Sequence, residues 1–236
     1  MRNIWAIFKR ELRAYFDSPT AYVVIIVFLL ITGWFFTTNF FLVAQADMRV
    51  AFGIIPFVFI FITPAITMRL ISEERKAGTI ELLVTMPITD AEVIVGKYLA
   101  ALALLISMLI PTIVYTVIVA ILGDIDMGPV IGGYMGLALM GAGYLAIGTF
   151  GSSMTENQVV AYITSWLMVF AFFLMDKMLF ILPNWLVTPV EYLSIEYHFQ
   201  NISRGVIDSR DLIYYLSLVV LTLMLASRSL AARRWR

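Results

Sequence analysis

The side chains with the most chemistry to offer lie in one charged stretch, residues 69–97. Acids and bases alternate there between two long apolar runs, so the stretch can form ion pairs and hydrogen bonds with another protein. The acids are Glu73, Glu74, Glu81, Asp90 and Glu92, and the bases are Arg69, Arg75, Lys76 and Lys97. Mixed charge is excluded from hydrocarbon, so these residues must stand in water at one face of a membrane. We therefore expect a soluble partner to bind this stretch.

The composition excludes several kinds of function. Of the 236 residues, 61% are apolar and 14% are charged, against about half and about a quarter in soluble domains, which indicates an integral membrane protein. The formal net charge of zero gives no argument for nucleic-acid binding. The absence of cysteine and a single histidine, His198, argue against a metal site. There is no G-x-x-x-x-G-K-[ST] pattern for ATP, so we expect no catalytic residue, metal or cofactor in this chain.

Six apolar runs predict six membrane spans in one all-α transmembrane domain over residues 1–236. Each run can cross a hydrocarbon core about 30 Å thick, although the last two are short. The first run has 23 residues, more than the roughly 7–15 of a secretory signal, so we expect a span there. The runs are residues 21–43, 50–68, 98–122, 129–151, 159–175 and 212–226.

The basic residues predict which way the chain crosses the membrane. With a cytoplasmic N-terminus, the cytoplasmic segments carry twelve Lys and Arg residues and the outer segments four. Acidic residues divide eight and eight, so the bias belongs to the basic residues, as the positive-inside rule requires. We therefore expect a multi-pass protein of the cytoplasmic (inner) membrane with both termini and the charged stretch in the cytoplasm.

Residues 1–17 precede the first span and predict an amphipathic helix. Apolar side chains recur at helical spacing on one face, and basic side chains occupy the other. The apolar set is Trp5, Phe8, Leu12 and Tyr15, and the basic set is Lys9, Arg10 and Arg13. Such a helix would lie flat at the inner headgroup boundary among anionic lipids. The alternative is a simple positive-inside anchor.

The charged stretch itself predicts a helix, a short helix and a third helix, separated by two breaks. Residues 69–76 read as a water-exposed continuation of the second span, which Gly78 interrupts. Residues 79–85 read as a short helix that ends before Pro87. Thr89 and Glu92 form a capping-box pattern that starts the helix of the third span. The alternative is a well-folded loop that only satisfies topology.

The same stretch resembles the cytoplasmic loop of ABC-2-type transporter permeases. The pattern is E-E-R-K-x-G-T-I-E-L-L-x-x-x-P-I-T, followed by six residues and G-K, after two spans. Its residues are Glu73, Glu74, Arg75, Lys76, Gly78, Thr79, Ile80, Glu81, Leu82, Leu83, Pro87, Ile88, Thr89, Gly96 and Lys97. The resemblance extends to the layout of the whole chain. Its short length and loop are similar to the permeases of gliding-motility-type and related three-component exporters.

The resemblance implies a division of labour with a separate ABC ATPase, which would bind ATP and Mg²⁺. A coupling helix around residues 78–85 would sit in a groove of that ATPase, and residues 1–17 would form an interface helix packed against it. Two permeases, this chain and a second copy or a homologue, would form the path. A periplasmic accessory protein is left open. The coupling residues would be Glu73, Glu74, Arg75, Gly78, Thr79, Glu81, Leu82, Leu83 and Pro87, and the interface residues Trp5, Phe8, Lys9, Arg10, Leu12 and Arg13.

The second and fifth spans are candidates for lining the path, as in similar transporters. The candidate lining residues are Phe57, Phe61, Thr63, Trp166, Phe170 and Phe173. An aromatic lining would suit a lipid-like or amphipathic cargo, although side chains that merely face lipid explain the same residues better.

Two further patterns concern the outer half of the protein. Residues 183–211 are predicted to dip into the outer leaflet as short re-entrant helices before the last span, with His198 as a hydrogen-bonding residue at the interface. Gly132 and Gly136, at G-x-x-x-G spacing, permit close helix approach. We expect that approach within one chain rather than between two copies.

Three functions compete at this point. The first is the permease subunit of an ATP-driven exporter, and the second is a non-transporting membrane scaffold that relays ATP-driven motion to a periplasmic partner. An intramembrane enzyme is the third and least favoured, because the spans hold no nucleophile–base pair, metal cluster or carboxylate pair.

Overall fold

The computed structural model describes residues 2–43, 48–78 and 88–232, and every regular element in these ranges is a helix. A 3₁₀ turn, Ile110–Thr112, joins helix α5 (Asp90–Leu109) to helix α6 (Ile113–Leu122). The α-helices are α1 (Arg2–Asp17), α2 (Pro19–Val43), α3 (Arg49–Thr67), α4 (Ser72–Lys76), α5 (Asp90–Leu109), α6 (Ile113–Leu122), α7 (Met127–Ser153), α8 (Gln158–Lys177), α9 (Asn184–Leu193), α10 (Ile195–Ser203) and α11 (Ser209–Ala232).

Six segments of the described chain are long and apolar enough to cross a membrane. They comprise residues Pro19–Thr38 of α2, α3 with α4, α5 with α6, α7, α8 and α11, and they run from 20 to 33 residues. Five of the six apolar runs lie within one of these segments, and the first run, 21–43, overlaps the segment Pro19–Thr38. The predicted all-α fold of a multi-pass membrane protein is confirmed.

Helix α7 is the centre of the bundle and packs against α3, α5, α8, α10 and α11. Its glycines make this possible, because a side chain would collide with the neighbouring helices. A Cβ atom on Gly132 would lie 2.2 Å from the carbonyl oxygen of Ile202, and one on Gly148 would lie 2.2 Å from Oγ1 of Thr67. Gly136 faces the ring of Phe199 in the same way. The two glycines at G-x-x-x-G spacing therefore pack within one chain, as expected.

The bundle has two chemically different ends. At one end, which we call the charged end, lie α1, α4, the start of α5 and the last turn of α7. Polar side chains cap one helix start at each end. Thr89 and Glu92 form the predicted capping box at the start of α5, with the Thr89 N–H donating to Oε2 of Glu92 over 3.1 Å. Asp126 caps α7 at the opposite end.

The prediction of a water-exposed continuation of the second span is right for Arg69, Glu73 and Lys76, which are exposed, but wrong about the continuous helix and about two buried side chains. Helix α3 ends at Thr67, and a buried turn follows it before α4 begins. Leu70 and Ile71 are almost fully buried. The backbone N–H groups of Ile71 and Ser72 each donate to Oγ of Ser152, over 3.2 Å. The chain turns here because two apolar side chains are buried and the last turn of α7 supplies a hydrogen-bond acceptor.

The predicted short helix at residues 79–85 lies outside the described residues, and so do the candidate coupling residues Thr79, Glu81, Leu82, Leu83 and Pro87.

Two short helices precede the last span, where the sequence predicts re-entrant structure. Helix α9 is mostly exposed, whereas α10 is seated against α7 through Phe199 and Ile202. The contact with Gly136 lies nine residues past the start of α7, about 14 Å along its axis. Helices α9 and α10 therefore form a hairpin that reaches down beside α7 from the opposite end.

Candidate functional site

Helix α1 is held against the start of α5 by an apolar contact. Ile7 is the buried residue of α1, and a Cβ atom on Gly96 would lie 2.8 Å from its Cγ2. Gly96 is the glycine of the G-K pair at the end of the charged stretch. Glycine at this position lets α1 lie directly on the backbone of α5.

The predicted interface residues of α1 differ in how far they are exposed. Trp5 is 64% exposed and stacks on Phe8, with the two ring centroids 5.0 Å apart. The basic residues Lys9, Arg10 and Arg13 are exposed, and Leu12 is half-buried. The helix therefore offers an aromatic pair and several cations to whatever lies outside the bundle.

A buried lysine links three helices at the charged end. The side chain of Lys97, on α5, is 3% exposed. Its Nζ lies 3.2 Å from Oε1 of Glu11 on α1 and 2.9 Å from Oε1 of Glu74 on α4. Arg10 Nη2 reaches the same two carboxylates, over 2.7 Å and 3.3 Å. Two cations and two anions thus balance in one network, which we call the Lys97 network.

The Lys97 network keeps Glu11 ionised although its side chain is largely buried. Burial raises the pKa of Glu11, but the charges of Lys97 and Arg10 and their hydrogen bonds outweigh burial and leave this pKa below its ordinary value. An ionised Glu11 can hold Lys97, and Lys97 in turn compensates the desolvation of both carboxylates.

Two hydrogen bonds fix the ends of α1 on either side of this network. Asn3 Nδ2 donates to Oε2 of Glu92 over 3.3 Å, which ties α1 to the capping box of α5. The Tyr15 hydroxyl donates to the carbonyl oxygen of Ile66 over 3.3 Å, which ties the other end to α3. Helix α1 is therefore pinned to the second and third spans along its whole length.

The predicted coupling residues that the structure describes border this network. Glu73 is exposed, Glu74 belongs to the network, and Arg75 donates to the carbonyl oxygen of Ser153 at the end of α7. Gly78 follows α4 with φ of +69°, a left-handed geometry that glycine adopts without strain. Its free side faces open space.

A cavity of about 360 Å³ opens between α1 and the turn that follows α3. Its charged lining comprises Glu11, Arg69, Glu73, Glu74 and Lys97. The charged end can therefore bind a soluble partner through ion pairs and hydrogen bonds.

Sequence reasoning singled out the basic face of α1 and the acids of α4, but not the contact between them. It gave no role to Glu11, Ile7 or Gly96, and it treated Lys97 as an ordinary cytoplasmic base. The only hint was the position of Glu11, one turn after Ile7, where an acid interrupts a basic helix.

Most of the candidate path-lining residues lie on one continuous aromatic surface formed by α3 and α8. Trp166 and Phe170 stack with centroids 5.0 Å apart, and Phe57 lies 6.3 Å from Phe173 across the two helices. Phe61 joins the two rows, 6.2 Å from Trp166. We call these five residues the aromatic surface.

Thr63 is not part of the aromatic surface. It is fully buried, and its hydroxyl donates to the carbonyl oxygen of Phe59 over 2.8 Å. Two residues of the aromatic surface, Phe57 and Phe61, also line an apolar groove of about 410 Å³ between α2 and α3.

These features define a class: a helical multi-pass membrane protein whose charged end, built around α1 and the Lys97 network, suits a soluble partner. Comparison of the sequence with protein-family models identifies its family. The chain belongs to the ABC-2 family of transporter proteins, whose family model matches residues 48–226. Comparison with curated proteins gives no match. Membership identifies a permease of an ABC-type system and implies that an ATPase works with it.

Proposed function

We propose that this chain is the permease subunit of an ATP-driven exporter, moved by a separate ATPase that binds α1 and the charged stretch. ATP and Mg²⁺ would be bound and hydrolysed by that ATPase, since this chain has no P-loop pattern. The basic residues favour a cytoplasmic charged end in the inner membrane, where an ATPase has access to nucleotide.

The Lys97 network is the observation that carries this proposal. Through Glu11, Lys97 and Glu74 it joins α1, α5 and α4, and a buried turn of four residues connects α4 to α3. A partner that displaces α1 or α4 must therefore displace the second and third spans as well. A loop that only satisfied topology would not need a buried cation with two carboxylate partners.

A second permease, either another copy or a homologue, would pack on the surface formed by α2, α3 and α8. This surface is exposed and apolar, and it includes the aromatic surface. Aromatic side chains between two such surfaces would form a path without charges, which suits a lipid-like or amphipathic cargo.

Gly78 offers a direct test of coupling. The first step is gentle extraction of the full chain from its native membrane, with the expectation that a P-loop ATPase co-purifies at one copy per permease. In that complex, Gly78→Pro should abolish most of the permease-dependent stimulation of ATP hydrolysis, because proline fixes φ near −65° and Gly78 needs +69°. Gly78→Asn is the matched control, since asparagine tolerates the left-handed geometry and the site has open space.

Wild-type stimulation in Gly78→Pro, with the thermal unfolding midpoint unchanged, would contradict the coupling role. The absence of any ATPase after gentle extraction would do the same. Substrate-stimulated hydrolysis in proteoliposomes separates the exporter from the alternative, a scaffold that moves without transporting, because a scaffold has no substrate to respond to.

A further inference from the structure

The end of the bundle opposite the charged end contains a buried histidine with two polar partners. His198, on α10, is 3% exposed. Its Nδ1 lies 2.6 Å from Oδ1 of Asp211 on α11, and its Nε2 lies 3.0 Å from the carbonyl oxygen of Tyr192 on α9. Tyr214 stacks on the imidazole, with the ring centroids 3.9 Å apart. The histidine thus joins three helices.

Counting hydrogens at this site gives a definite result. A carbonyl oxygen and an ionised carboxylate can only accept hydrogen bonds, and a neutral imidazole has a single N–H to donate. His198 contacts two such acceptors, so both hydrogen bonds can form only if the pair carries one proton more than a neutral histidine and an ionised aspartate have together. That proton sits either on the imidazole or on Asp211, and in both cases the pair holds it jointly.

We propose that His198 and Asp211 form a proton-binding site that fastens the α9–α10 hairpin to the last span. The site suits a proton rather than a metal ion. Among the described residues, no three His, Asp or Glu side chains are arranged to hold a metal ion, whereas two side chains are enough to share a proton. When the proton leaves, the imidazole keeps one N–H for two acceptors, so its other nitrogen turns a lone pair either on Oδ1 of Asp211 across 2.6 Å or on the carbonyl oxygen of Tyr192 across 3.0 Å. This inference does not depend on the proposed transport function.

The surroundings of the pair favour a bound proton. Asp211 is 3% exposed, and its Oδ2 has no hydrogen-bond partner in the described part of the chain. Nδ1 of His198 is therefore the hydrogen-bond partner of this carboxyl group in the described part of the chain. The titratable and charged groups around the site are Tyr192 on α9, Glu196 and Tyr197 on α10, Tyr214 and Tyr215 on α11, and, towards Glu196, Tyr144 on α7 and Asp176 and Lys177 on α8.

Neutral hydrogen bonds beside the pair provide an internal comparison. The Tyr214 hydroxyl donates to the carbonyl oxygen of Leu193 over 2.6 Å, and the Tyr215 hydroxyl donates to that of Ile195 over 2.8 Å. These two bonds attach the turn between α9 and α10 to α11, and they do not depend on the proton shared by His198 and Asp211. Loss of the proton should therefore loosen the hairpin rather than release it. Helix α9 should respond most, because it is mostly exposed.

The first measurement uses the fact that His198 is the only histidine in the chain. The full chain is labelled with ¹⁵N-histidine, purified without a histidine tag and placed in lipid nanodiscs, and its ring nitrogens are followed from about pH 6 to about pH 9. We expect one transition with rising pH. Amide hydrogen exchange in α9 and α10, corrected for its intrinsic pH dependence, should accelerate by about 10- to 100-fold over the same transition.

Asp211→Asn distinguishes a proton site from a merely structural bond. Its amide can donate to the unprotonated Nδ1 of a neutral His198, so both hydrogen bonds form without the extra proton. We expect slow exchange in the hairpin at every pH in this variant, and fast exchange at every pH in Asp211→Ala. Asp208→Asn is the control, because Asp208 is exposed one turn away and should leave the wild-type transition intact.

The same pH-dependent exchange in wild type and Asp211→Asn would overturn the proposal. So would pH-independent exchange in the wild type together with histidine signals that stay those of a neutral ring.

Discussion

Replacing Lys97 by methionine should detach α1 from the bundle without unfolding the rest of the protein. Methionine keeps the length and much of the volume of the side chain but removes the charge. Glu11 and Glu74 would then lose a cation at 3.2 Å and 2.9 Å. Because these contacts join α1 to α5 and α4, the effect should appear first as opening of α1.

The size of the effect follows from the burial of the three side chains. Removing one partner of a buried ion pair costs about 3–5 kcal/mol. Here the carboxylates are 18% and 19% exposed, and Arg10 still contacts both, so water and the remaining cation offset part of the loss. We expect α1 docking to weaken by about 2–3 kcal/mol, which is roughly 30- to 150-fold in the opening equilibrium.

Thiol labelling at position 7 measures this opening. The chain contains no cysteine, so Ile7→Cys introduces a single thiol at a site that is 7% exposed in the docked helix. When opening is a rapid pre-equilibrium, the labelling rate rises in proportion to the opened fraction. Lys97→Met should therefore accelerate labelling roughly 30- to 150-fold. Lys76→Met, which removes an exposed cation from α4, should leave the rate unchanged.

A background without the two carboxylates supplies the decisive comparison. If the cost comes from unpaired carboxylates, adding Glu11→Gln and Glu74→Gln to Lys97→Met should return the labelling rate to within about threefold of wild type. The reasoning is refuted if Lys97→Met accelerates labelling equally in both backgrounds. In that case Lys97 acts by packing and not by charge.

Two further predictions concern the second permease and the acid stability of α1. Phe57→Cys should form disulfide-linked dimers in the membrane and Val117→Cys on α6 should not, although both residues are 50% exposed; equal yields would place the second copy elsewhere. The pKa of Glu11 is lowered in the folded chain, because Lys97 and Arg10 outweigh the effect of burial. Docking of α1 should therefore be strongest above about pH 4.3 and should weaken as the pH falls further. Hydrogen exchange in α1 should then accelerate only in acid and less in Glu11→Gln; acceleration between about pH 7 and 5 would contradict this assignment.

The spans and helix starts are predictable from sequence because their causes are local. Hydropathy over a window of 20 or so residues sets a span, and the capping box of Thr89 and Glu92 needs only four consecutive positions. The packing role of Gly132 and Gly136 was also predicted, since their spacing places both on one face of a helix.

The remaining features depend on contacts between distant parts of the chain. Leu70 and Ile71 lie in a charged stretch and were expected to face water, but Ser152, some eighty positions later, holds their turn in the bundle. Glu11 and Lys97 are 86 positions apart, and no local pattern marks them as partners. His198 and Asp211 lie closer together, yet their contact depends on the hairpin between α8 and α11. Periodicity within a single sequence does not indicate which distant residues are in contact.

Helix α7 is the element that touches both functional ends of the molecule. Its last turn accepts hydrogen bonds from the turn after α3 through Ser152 and from Arg75 through Ser153. Its first turns hold the hairpin through Gly132 and Gly136. At 27 residues it spans about 40 Å, and its one proline, Pro129, lies in the first turn. A displacement of the charged stretch must therefore either break the bonds at Ser152 and Ser153 or move the last turn of α7. Motion that α7 transmits along its length would reach the hairpin at Gly132 and Gly136.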